Sequence, residues 1–175
     1  MISKMPDRRT TLIEATSDLI TAFASGASLT ALVSKFTVTP PAQAREHGHP
    51  KIASFIGQTF IGHKGVGQYF NLVERQMRIK EIKFEDEKDW VVDTGNSVVF
   101  LRGKAKWQNK LSEEEWEEIF AYRIALAEEE WDGSKEKGQT KVQFYEVWAD
   151  TAAAFLAEKG SLRHLETAYW GSGMS

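Results

Sequence analysis

The chain has 175 residues, enough for one domain, and 42% of them are hydrophobic, enough for a real core. A net charge of −3 and a pI of about 5.9 leave no basic footprint for nucleic acid. No run of about 18 apolar residues spans a membrane, the opening MISKMPDRRTTL lacks the apolar stretch of a signal peptide, and with no cysteine there is neither a disulfide framework nor thiolate chemistry; a cytoplasmic location is the expectation.

The first predicted element is a helix over residues 10–25. Leu12, Thr16, Leu19 or Ile20, and Phe23 recur there at helical spacing, and Gly26 ends it. Ser28 caps a short second helix carrying Leu29, Leu32, Val33 and Phe36. Residues 37–41 hold two prolines and stop any regular element. Residues 41–59 read as a long irregular segment of the kind that forms a functional rim. Residues 62–67 open a third helix, in which Val66, Tyr69, Phe70, Val73 and Met77 make a firm apolar stripe. Its GHKGVG opening is not a dinucleotide fingerprint, and no strand–loop–helix unit of that kind is present.

From Lys80 the period changes to two. Strands are predicted over residues 81–87 and 90–93, 97–107, 116–126 and 141–150, joined by polar turns at 109–115 and 128–139. A helix over residues 151–158 follows, capped by Asp150 or Thr151, and a tail packs through Leu162, Leu165, Tyr169 and Trp170. Helices first and long hairpin-linked strands afterwards define an α+β fold rather than a βαβ one. The expectation is a curved antiparallel sheet wrapped around the N-terminal helices as a cone, in a single domain 1–175 with its core over about 10–158 and a tail over 159–175.

In the last strand, KVQFYEVWAD, strict alternation puts Val142, Phe144, Glu146 and Trp148 on one face. A carboxylate among large apolar groups must be paired, protonated or used. Glu146 is therefore the first candidate for acid–base chemistry, or the partner of Arg123 or Arg102. His47 and His49 are candidates for a general acid at the pocket mouth; their spacing does not make a metal set, and no metal is expected. Parity and helical stripes assign the pocket wall to Phe23, Tyr69, Phe70, Trp107, Phe120, Tyr122, Phe144 and Trp148. Glu118 lies on a pocket-facing parity as well, yet the run EEEWEE around it reads as a solvated turn. Tyr145 has the opposite parity from Glu146, and with Val98, Phe100 and Val147 it forms a second apolar face suited to a homodimer.

The segment from Phe60 to Phe70, FIGHKGVGQYF, resembles the start of the third helix in the SnoaL-like, nuclear-transport-factor-2-like superfamily. Residues 120–126 and 144–150 are similar to that superfamily's last two strands. The segment holding His47-Gly48-His49-Pro50 and Phe55-Ile56-Gly57 looks closest to small fungal members. The resemblance implies the cone fold, a small hydrophobic ligand, no cofactor and frequent dimerisation. It implies either a cofactor-independent lyase, isomerase or cyclase acting on a small hydrophobic carbonyl compound, or a non-catalytic ligand-binding or dimerisation module. Glu146 matches the final-strand acid of several enzymatic members. No Asp–Arg pair of an epoxide hydrolase is present on the 116–126 strand, and only Glu14 and Asp18 offer an acid in the first helices.

Overall fold

The structure, a computed structural model, describes residues 7–130 and 138–165. Two of the expected features, the end of the tail with Tyr169 and Trp170 and most of the polar loop after residue 130, lie outside those residues. Helix α1 (Arg8–Ala24) starts at Asp7, whose side chain accepts from Thr10 N at 2.9 Å. It buries Leu12, Thr16, Leu19 and Ile20, a single stripe. Helix α2 (Leu29–Val33) is capped by Ser28 in the same way. Helix α3 (Gly62–Gln76) buries Val66, Gly67, Tyr69, Phe70 and Val73.

The strands are β1 (Gln43–Glu46), β2 (Thr59–Ile61), β3 (Met77–Phe84), β4 (Val91–Asp93), β5 (Val98–Asn109), β6 (Glu115–Glu128) and β7 (Thr140–Trp148). Helix α4 (Thr151–Glu158) follows at once, with Asp150 accepting from the amides of Ala152 and Ala153. The order across the sheet is β2-β1-β7-β6-β5-β3, with β4 beside β5. The molecule is thus α+β, and its helices α1 and α3 lie against one face of an open, curved sheet.

Two features depart from expectation. The 41–59 segment is not wholly irregular: it supplies β1 and the start of β2. Further, β1 runs parallel to β7, with Gln43 opposite Phe144 and Glu46 opposite Val147, so the sheet is mixed. The alternation that reveals β1 is short: Ala42, Ala44 and Glu46 are buried, while Gln43, Arg45 and His47 are half-buried.

The second departure is a bulge. Ala125 pairs with Phe144 but Leu126 pairs with Val142, so Gln143 is an extra residue in β7. One inserted residue exchanges the faces of everything beyond it. Val142 is fully buried, and after the bulge it is Tyr145 and Val147 that turn inward. Phe144, Glu146 and Trp148 turn to the outer face.

Candidate active site

The concave face of the sheet meets α1 and α3 around a narrow cavity. Its lining includes Phe23 of α1, Tyr69, Phe70 and Val73 of α3, Trp107 of β5, Phe120 and Tyr122 of β6, and Tyr145 and Val147 of β7. A small residue on β5 makes room for the Phe120 ring of the wall. Gly103 lies opposite Phe120 in the ladder, and a Cβ there would run into the Phe120 ring. Ala105 lies opposite Glu118. The cavity volume is about 30 Å³, room for about two water molecules.

Two carboxylates enter this apolar space, Glu46 from β1 and Glu118 from β6. Glu46 is 7% exposed and accepts a hydrogen bond from the Tyr69 hydroxyl at 2.9 Å. Burial pushes its carboxyl up to about 7, the Tyr69 hydrogen bond works against that rise, and the charge of Glu118 adds to it. Glu118 accepts from the Trp116 indole N–H at 3.0 Å and is also raised, again chiefly by burial. Tyr69, Tyr122 and Tyr145 are all held well above the usual phenol range by burial and by neighbouring negative charge, so they act as donors. Their rings pack on one another: Tyr122 and Tyr145 have centroids 5.0 Å apart, and Tyr69 and Tyr145 6.1 Å apart. A carboxyl poised between its charged and neutral forms near neutrality, beside fixed donors and away from water, is equipped for proton transfer.

Of the wall residues assigned from parity, Phe23, Tyr69, Phe70, Trp107, Phe120 and Tyr122 line the cavity. Phe144 and Trp148 do not, because of the bulge; Trp148 is 42% exposed on the outer face. Glu146 stands on that outer face too. It accepts from Arg123 Nη1, and His47 Nε2 lies 3.2 Å from its other oxygen. The His47 ring stacks on Trp148 at a centroid distance of 4.2 Å. Glu146 and His47 are thus brought together, but in an outer-face polar network around the Arg123–Glu146 ion pair rather than as pocket groups. His49 is exposed, and its Nδ1 accepts from the amide of Lys51. Glu46 was not among the sequence candidates. It belongs to the segment read as a rim, and only the Ala42–Ala44–Glu46 alternation signals it. Glu118 is pocket-facing despite its acidic neighbours.

No protein-family sequence model matches the chain, and no curated protein sequence does either. Solved structures do. PrhC from Penicillium brasilianum is 14% identical with a TM-score of 0.61, covering 92% of this chain and 97% of its own. The BvnE pinacolase from Penicillium brevicompactum is also 14% identical, with a TM-score of 0.60 and coverages of 92% and 99%. A ketosteroid isomerase-like protein from Erwinia carotovora atroseptica is 13% identical, with a TM-score of 0.57 and coverages of 83% and 98%. These likenesses define the class: the chain has the SnoaL-like, nuclear-transport-factor-2-like fold. At such identities they speak for the fold and not for an activity.

Proposed function

We propose that this chain admits the carbonyl end of a small hydrophobic compound to the cavity, the rest of the compound lying outside it, and moves a proton on that end without a cofactor, as an isomerase, lyase or cyclase does. The observation that carries this is Glu46, a buried carboxyl with its acidity tuned to about 7 and a tyrosine hydroxyl 2.9 Å away. As a carboxylate it takes a proton from the carbon next to the carbonyl. The C–H bond breaks, its electron pair moves to the carbonyl oxygen, and Glu46 holds the proton. Returning that proton to a different carbon isomerises the compound; expelling a neighbouring leaving group instead gives elimination. Burial serves both steps, since it brings the acid's pKa close to the working pH. The names of the pinacolase and the isomerase-like protein among the structural neighbours support the same class of small-molecule chemistry.

The test is proton exchange. Small cyclic enones and ketones incubated with the protein in D₂O should gain deuterium next to the carbonyl, and Glu46→Gln should abolish the gain. Exchange that persists in Glu46→Gln would remove Glu46 from the chemistry.

The outer sheet face supports a homodimer as well. Tyr145 and Val147 are not part of it, but Phe100, Ile119 and Trp148 are 43%, 71% and 42% exposed on it. Sedimentation at micromolar concentration should give about twice the 19.8 kDa chain mass.

A further inference from the structure

Among the polar groups of the cavity that the proton-transfer chemistry leaves unused, the Trp107 indole stands apart. Trp107 stands where two spaces meet. The inner cavity lies on one side, and an outer cleft of about 410 Å³ opens between α1, α2, the end of α3 and β3 on the other. Phe23, Phe70, Val73, Met77 and Trp107 line both. Trp107 is only 6% exposed, and its Nε1 is buried without a hydrogen-bond partner among the described residues. Its neighbour across the ladder behaves otherwise: Trp116 Nε1 donates to Glu118 at 3.0 Å. The Trp107 N–H is near enough to Glu118 to favour its charged form but makes no proper hydrogen bond with it. Buried N–H groups are nearly always paired, so an orphan on a residue that lines two spaces calls for an occupant.

We propose that the Trp107 indole N–H is the donor that receives the ligand's oxygen, with the ligand's apolar body lying in the outer cleft. An indole N–H only donates, so the occupant must present an acceptor. Glu46 and Glu118 face the same space, so an anionic acceptor is repelled and a neutral one is favoured. A ketone or enone fits; a carboxylate does not. Trp107 is then a positioning and specificity-determining residue, holding the carbonyl end at the inner cavity that Glu46 lines. The proposal rests on the cavity being the binding site, but not on turnover there.

The probes are 2-cyclohexen-1-one, cyclohexene, which lacks the oxygen, and 1-cyclohexene-1-carboxylate. The chain holds six tryptophans, so ¹⁵N-indole spectra give resolvable N–H signals; that of Trp107 is assigned by through-bond correlation to its own backbone and through its loss in Trp107→Phe. Cyclohexenone should shift the Trp107 N–H downfield, cyclohexene should leave its proton without that shift, and the carboxylate should bind worst. Trp107→Phe should weaken cyclohexenone about tenfold, the worth of one net hydrogen bond, and leave cyclohexene unchanged. The wild-type titration decides the matter even if the variant misfolds. An unmoved Trp107 N–H at saturating cyclohexenone, equal losses for both neutral probes, or no binding at all would overturn the proposal. A Trp107 shift without deuterium exchange would uphold it and refute the catalytic reading alone.

Discussion

Replacing Glu46 by Gln makes a sharp test, because burial of the carboxyl sets the sign of the effect and its order of magnitude. The folded chain raises the Glu46 carboxyl from its ordinary 4.5 to about 7, which corresponds to about 3 kcal/mol. The unfolded chain returns it to the ordinary value. Between pH 4.5 and 7 the folded state therefore binds more protons than the unfolded one, and this group's contribution makes stability fall as pH rises. Below 4.5 Glu46 costs nothing; above 7 its full penalty is present. Glutamine keeps an acceptor for the Tyr69 hydroxyl and has no charge to bury. Whatever constant cost the amide brings, the stability difference between variant and wild type should swing by about 3 kcal/mol in the variant's favour from pH 4.5 to pH 8, or roughly 6–12 °C of Tm. Calorimetry of both proteins across that range reads it directly. Parallel pH curves would refute the assignment of Glu46 as a buried carboxyl that holds its proton to neutrality.

Three further outcomes follow from the same geometry. Tyr69→Phe removes the hydrogen bond that favours ionised Glu46, so the acid limb of any pH–exchange profile should move to higher pH; an unmoved limb would show that the bond does not tune the acid. Glu146→Gln leaves Arg123 and His47 without their carboxylate on the outer face. Since 33% of the Arg123 side chain meets solvent, screening should limit the loss to about 1 kcal/mol in chemical unfolding, with deuterium exchange unchanged. Gly103→Ala forces a methyl into the Phe120 ring and should cost about 1–3 kcal/mol by urea titration.

The fold was legible because its long elements carry uninterrupted patterns. The α3 stripe and the alternation of β5 and β6 state their buried faces over 12 residues or more, and most of the cavity wall follows from them. The buried cavity carboxyl Glu46 was not legible, for two physical reasons. Alternation is read on the premise of an unbroken ladder, and the bulge at Gln143 exchanges faces just before Glu146. The proposed acid, Glu46, sits in a strand of four residues behind two prolines, too short to stand out by periodicity and held in place by a partner far along the chain. Charge density misled as well. Glu118 lies in a run of glutamates whose solvated members, such as Glu117, differ from it only in parity.

The parallel pairing of β1 with β7 has a consequence for how the site comes into being. Gln43 meets Phe144, so about a hundred residues separate the two partners in sequence. During synthesis from the N-terminus, Tyr69 and helices α1–α3 have emerged while the strand that carries Glu46 still lacks its neighbour. The carboxyl stays in water, with ordinary acidity, until β7 has emerged and closed over it. Contacts this distant form slowly. In refolding, the proton uptake that accompanies burial of Glu46 should therefore lag behind helix formation and coincide with the last closure of the sheet.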